Sequence, residues 1–183
     1  WRRPLGTGEA VWYHCATLAT GGDDRDPKLI PLGPVLACVW GTYIPRWGVG
    51  CFAQTTIPNA TYDLLSHGSI SRDGALWNVP QQLYRPNYWI WSVVADERKE
   101  RSTPWLHAMA YHWGQASDTG CLVVLEGSTL SFLRTHEWVC FNTQEAPAEP
   151  ALLLDDEHQR LEICVRNGDS GHAFWGRRGV AGG

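Results

Sequence analysis

The sequence predicts an all-β fold: a single-domain antiparallel sandwich or barrel with long Pro/Gly-rich loops. Short apolar runs at 121–126, 129–133, 137–142 and 161–166 recur at even spacing, bounded by Gly120, Gly127, an EAPAEP linker and Asn167-Gly168. The stretch 35–56, VLACVWGTYIPRWGVGCFAQTT, holds two runs rich in Val, Cys, Trp and Phe, separated by Gly41, Pro45 and Gly48. It reads as two buried strands joined by a turn. Prolines at 58, 80 and 86 exclude long helices from the segment that follows.

Taken in order, residues 1–10 are a polar lead into a strand-like run, VWYHCATLA. GGDDRDPK at 21–28 reads as a solvated turn, since a calcium loop needs more oxygen ligands at regular offsets. Residues 57–87 read as extended loops, with a helical turn at 62–66. YWIWSVV at 88–94 is dense in aromatic and β-branched residues and reads as a strand. The charged cluster ADERKERSTP that follows reads as a solvated loop or short helix. WLHAMAYHW at 105–113 alternates poorly and fits strand or helix, whereas LLLDDEHQRLEI reads as a hairpin turning at 155–158. No internal repeat is visible.

The 183 residues suit one domain, 1–183, which buries roughly two thirds of the surface its unfolded chain exposes. The chain starts at Trp1 without a targeting sequence and reads as a piece excised from a longer protein. Its formal charge of -4, with thirteen Arg, two Lys and no basic run, argues against nucleic acid as a partner. No apolar run approaches eighteen residues, so no membrane insertion is expected. Six Cys without a CxxC pair permit three disulfides or buried free thiols alike. Asn59-Ala60-Thr61 is a glycosylation sequon if the chain is secreted.

Four constellations bear on function. Gly168-Asp169-Ser170-Gly171 resembles the nucleophile loop of chymotrypsin-like serine proteases, and the resemblance implies a triad of His14, Asp63 and Ser170. That fold needs strands before the histidine and after the serine, for which the ends of the chain leave little room, and Asn167-Gly168-Asp169 also favours a hairpin turn. His107, His112, Cys121, His136 and Cys140 offer metal-ligand chemistry, but only His136 and Cys140 lie close in sequence, so no metal or other cofactor is expected. His112-Trp113-Gly114 is similar to the histidine box of lecithin retinol acyltransferase-like hydrolases, yet the Asn-Cys nucleophile motif of that family does not occur.

Aromatic residues make the fourth. Eleven Trp is a large number for one core, and Trp40, Tyr43 and Trp47 flank the central turn while Tyr84, Tyr88, Trp89 and Trp91 surround Arg85. If alternate members point outward, they form flat platforms suited to sugar rings or to another protein. The texture of VLACVWGTYIPRWGVGCF and YRPNYWIWSVV is similar to avian astrovirus capsid spikes. That resemblance implies a non-catalytic projection domain on the virion surface, dimeric, engaging a host receptor or glycan. The alternatives are the serine hydrolase and a secreted lectin-like module.

Overall fold

The computed structural model describes residues 14–45, 62–96, 105–112, 121–128, 130–140, 147–155, 157–167 and 173–179. These contain eleven strands and no helix: β1 (Asp23–Leu32), β2 (Val35–Pro45), β3 (Tyr62–Ser71), β4 (Gln81–Gln82), β5 (Tyr88–Asp96), β6 (Trp105–His112), β7 (Cys121–Ser128), β8 (Ser131–Cys140), β9 (Pro147–Asp155), β10 (Arg160–Asn167) and β11 (Ala173–Gly179). All pairings are antiparallel. The all-β antiparallel class expected from sequence is therefore the observed one. Strands follow one another in space as they do in sequence, giving three meander sheets: β1-β2-β3-β4, β5-β6-β7-β8 and β9-β10-β11.

The sheets pack face to face, and alternation along each strand decides which core each side chain joins. Ile30, Leu32, Ala37 and Val39 of the first sheet meet Ile90, Leu106, Ala108, Ala110, Val123 and Leu125 of the second. The opposite face of the second sheet presents Trp89, Met109, Tyr111, Leu122 and Val124 to Leu161, Ile163 and Val165 of the third. The second sheet is thus buried on both sides, which accounts for the poor alternation of 105–113: Leu106 to Tyr111 are all buried, and the segment is a strand.

Two serine hydroxyls fasten β5 to its neighbours. Ser66 of β3 donates to the Tyr88 carbonyl at 2.9 Å and accepts from the Ile90 amide at 2.8 Å. Ser92 accepts the Leu152 amide of β9 at 3.0 Å. Both satisfy backbone groups that the sheet ladders leave unpaired beside an irregularity in β5, where the register slips between Ile90 and Ser92.

Several local expectations are corrected. GGDDRDPK is not simply a turn: only Gly21 and Gly22 bend, and Asp23 begins β1. The helical turn expected at 62–66 is strand, because β3 pairs with β2 along its whole length, from Tyr62↔Pro45 to Ser71↔Leu36. The two runs at 129–133 and 137–142 merge into β8, paired to β7 through two register shifts. Four of the six residues of the EAPAEP linker, Pro147 to Pro150, belong to β9. The hairpin between β9 and β10 is present, closing at Asp155↔Arg160. The second half of the central stretch, from Arg46 onward, lies outside the described residues.

Gly41 shows how tightly the first two sheets approach. A Cβ there would lie 2.6 Å from Trp89 Nε1 and 2.7 Å from its Cε2, so the indole rests on a backbone that has no side chain. Gly41→Ala is expected to cost about 1–3 kcal/mol through overpacking, and Trp89→Ala about 3–5 kcal/mol through the cavity it leaves. Urea denaturation of both variants and of Gly41→Ala/Trp89→Ala tests the contact. Additive costs in the double variant would show that the two residues do not meet.

Candidate functional site

The first strands of the three sheets, β1, β5 and β9, lie together, with β5 touching both others. Each carries a bulge. In β1 the register slips between Arg25 and Lys28 around Asp26-Pro27. In β9 it slips around Glu149-Pro150, where Ala148 to Ala151 oppose only Arg166 to Cys164. Asp26 and Glu149 both adopt φ of 51°, in the left-handed region, and each precedes a proline. A bulge explains why proline is tolerated in a strand. It does not explain why the strained position should be a carboxylate twice, and for glutamate in particular this conformation is uncommon.

Both carboxylates act on one buried phenol. Burial pushes the Tyr111 hydroxyl well above its ordinary range, and Tyr43, Glu149 and Asp26 push it further, against Arg166. Tyr43 is raised to about 12 by burial, opposed by Arg25 and assisted by Asp26 and Asp23. Tyr43 and Trp91 stand edge-on to Trp89 at 5.3 and 5.2 Å, and Trp89 stacks on Tyr111 at 6.3 Å. The Arg25 guanidinium lies 4.9 Å from the Tyr43 ring and bonds Asp23 at 2.9 Å, while Arg166 Nε donates to Glu149 at 2.8 Å.

Lys28 completes this junction. Its Nζ sits 4.6 Å from the centre of the Trp91 ring, sealed from solvent, with no hydrogen-bond acceptor in the described structure. Burial lowers its pKa to about 8, against the opposing pull of Asp26 and Cys38.

A concavity of about 520 Å³ opens on the far face of the first sheet between Cys15, Leu18, Leu29, Leu36, Trp40 and Trp77. Asp24 stands at its floor. Burial would raise the Asp24 carboxyl, but bonds from the Thr20 hydroxyl (2.5 Å) and amide (3.0 Å), Thr42 (2.6 Å) and Trp40 (3.1 Å) hold it low. Because Thr42 donates to Asp24, its oxygen accepts from His67 Nδ1 at 2.9 Å. The carboxylate anchors residue 20 to the sheet, with Oδ1 accepting from Thr20, Thr42 and Trp40 and Oδ2 from the Thr20 amide.

The residues expected from sequence fall in different places. Trp40, Tyr43, Tyr88 and Trp89 are 3%, 5%, 8% and 4% exposed, so they are core side chains and not outward platforms. Tyr43, Tyr88 and Trp89 point into the sheet junctions, whereas Trp40 is covered on the far face of the first sheet, where it bonds Asp24. Tyr84, Arg85 and Tyr88 do converge: Arg85 donates to the Tyr88 hydroxyl at 3.1 Å and its guanidinium lies 5.3 and 4.5 Å from the two rings. Trp47 and Ser170 lie outside the described residues, as does Asn59. His14 is exposed and bonds Thr17 at 2.8 Å, and Asp63 is placed on β3 opposite Ile44. A chymotrypsin-like fold requires two closed barrels, whereas the described strands form three meanders.

His107 faces Glu126 at 3.3 Å and Asp96 at 3.7 Å in a buried ion cluster. His112 packs edge-on to Tyr88. No group of three or more metal-ligating side chains occurs among the described residues.

Asp26, Lys28, Tyr111 and Glu149 were not singled out by sequence, whereas Trp91 was expected in an aromatic cluster around Arg85 and instead packs on Trp89 and Tyr111. The available signal was the acid-proline dipeptide, present in GGDDRDPK and in EAPAEP, segments whose composition otherwise reads as turn and linker.

No protein-family model matches the chain, and no curated protein matches it. Among solved structures it is similar to a GH43_1 enzyme from Xanthomonas citri, at 15% identity and a TM-score of 0.46, over 85% of this chain. The chain spans 44% of that enzyme's length, and the score is below that of a shared fold.

The depressed pKa of Lys28 has a sign that can be measured. The folded value, about 8, lies below the ordinary 10.5, so folding disfavours the charged amine. The deficit is complete below pH 8 and disappears as pH rises toward 10.5. Lys28→Met is expected to raise the melting temperature at pH 7 by roughly 3 °C, the equivalent of about 1 kcal/mol in a chain of this size. The gain should shrink between pH 8 and 10. Thermal denaturation across that range checks it, and a destabilised variant at pH 7 would mean that the Trp91 contact outweighs the burial.

Proposed function

We propose that this chain is a carbohydrate-recognising β-domain whose ligand lies over the junction of β1, β5 and β9, with Asp26 and Glu149 as its functional carboxylates. The observation that carries this reading is the pair of acids held in left-handed backbone at proline-backed bulges, on two strands that each touch β5. Bulges re-aim side chains, and strain concentrates where a side chain must be presented to something outside the fold. Ionised carboxylates accept two hydroxyl hydrogens each, the pattern that adjacent sugar hydroxyls offer. The buried cluster of Tyr43, Trp89, Trp91 and Tyr111 packs rigidly behind the bulges and holds the strands that carry them in place.

This keeps the glycan ligand expected from sequence and moves its site from the exposed-platform residues to the bulges. A capsid spike dimer on a virion surface and a secreted lectin-like module are both settings for such a domain. The spike setting rests on the texture of residues 35–52 and 84–94.

One observation favours a second reading, hydrolysis of a glycosidic bond. That reaction is carried by two carboxylates facing each other across the sugar, one acting as acid and one as base or nucleophile. Two acids at corresponding bulges of different sheets provide such a pair.

Asp26→Asn and Glu149→Gln test both readings. Asn tolerates the left-handed region and Gln preserves size, so melting temperatures should stay near that of the parent. Each variant is expected to weaken binding in a glycan array and in calorimetry about tenfold, the loss of roughly one charge-assisted hydrogen bond. Release of p-nitrophenol from p-nitrophenyl glycosides by the parent, abolished in both variants, would select hydrolysis. Unchanged glycan binding in both folded variants would remove the carboxylates from the site.

A further inference from the structure

Lys28 is a buried cation without a return for its burial. An ammonium has three donors and normally satisfies them when removed from water. Here the Nζ has no acceptor in the described structure, and its close partner is the face of Trp91. The neighbouring cations are engaged differently: Arg25 bonds Asp23 and Arg166 bonds Glu149. Lys28 follows the Asp26-Pro27 bulge directly and lies on the side of β1 that meets β5. It therefore stands at the edge of the proposed carbohydrate face, with the pull of Asp26 and the Trp91 ring on its charge but no acceptor for its donors among the described residues.

We propose that the sugar taken at this face is anionic, and that Lys28 receives its carboxylate or sulfate. This rests on the carbohydrate reading above and adds the class of sugar. Carboxylate and sulfate oxygens present the same acceptors to an ammonium. The four-carbon stem of Lys28 allows the charge to leave the Trp91 ring and meet the anion, exchanging a contact that satisfies no donor for one that satisfies up to three. Asp26 and Glu149 accept from the hydroxyls of the same sugar, so the site pairs two acceptors of hydroxyl hydrogens with one receiver of negative charge. A neutral sugar uses the carboxylates alone.

The test uses the whole chain and three probes: methyl glucoside, methyl glucuronide and methyl glucoside 6-sulfate. Affinity is measured by calorimetry, and Trp fluorescence reports displacement of the ammonium from Trp91. One or both anionic probes are expected to bind at least tenfold more tightly than methyl glucoside, and comparing the two separates carboxylate from sulfate. Lys28→Met should bring all three affinities together by weakening the anionic ones. Lys28→Arg, which keeps the charge, should retain a preference for anions. In the parent, the preference should decline as pH is raised through the Lys28 titration above about 8. Equal affinities for neutral and anionic probes overturn this inference and leave the carbohydrate site standing. A preference that survives in Lys28→Met overturns it as well. Binding of no probe overturns both.

Discussion

Burial of the middle sheet on both faces is the constraint on which the rest of this structure depends. β6 and β7 hold alternate residues in two separate cores, so neither face can tolerate a polar side chain without a partner. His107 and Glu126 satisfy that condition by facing each other within the second core, together with Asp96. The first and third sheets can then be thinner in apolar content, since each needs to cover only one side of the middle sheet. Their outer faces carry the residues that a two-layer fold would place in solvent: Leu29 and the Asp24 network on one, Leu153 and Trp175 on the other.

Because β5 must touch both outer sheets, its ladder cannot run unbroken. The slip at Trp91 is bridged by hydroxyls, Ser66 from one side and Ser92 toward the other, so the irregularity is hydrogen-bonded and not merely tolerated. The bulges in β1 and β9 occur on the strands that meet β5. Repetition of one device on three first strands links the packing problem to the site. The same local kink that lets neighbouring sheets approach also turns Asp26 and Glu149 into the left-handed region.

The fold class was legible because it depends on patterns that survive averaging: short apolar runs, β-branched and aromatic residues, and turn residues between them. The later strands and the β9–β10 hairpin could be read for this reason. β3 could not, since SHGSIS carries little strand propensity and owes its conformation to pairing with β2 along ten residues. β6 was ambiguous because a doubly buried strand has no alternation to show. The Trp residues were assigned to contact surfaces or core by number alone, and only the register decides which face each joins. Trp40 and Trp89 are both buried, yet on opposite sides of the first sheet, one bonding Asp24 and the other resting on Gly41. The acid-proline dipeptides of the site were visible as residues but not as a pair, because Asp26 and Glu149 are related through two sheets and share no local sequence context.

The charged groups buried in this chain separate by how their burial is compensated. Asp24 receives four donors and is held in its ionised form by them, which makes it a structural anchor for the segment before β1. His107 lies between two carboxylates that are themselves buried, so its surroundings are built for it. Lys28 has an aromatic face but no acceptor, and burial lowers its affinity for a proton where Asp24 and its donors do the reverse for a carboxylate. A fold under selection for stability alone would replace such a lysine with an apolar side chain of the same length, as replacement of buried ions by hydrophobic residues is commonly neutral or stabilising. Lys28, two positions from the strained Asp26 and without an acceptor among the described residues, is thus the buried charge whose missing partner the proposed anionic ligand would supply.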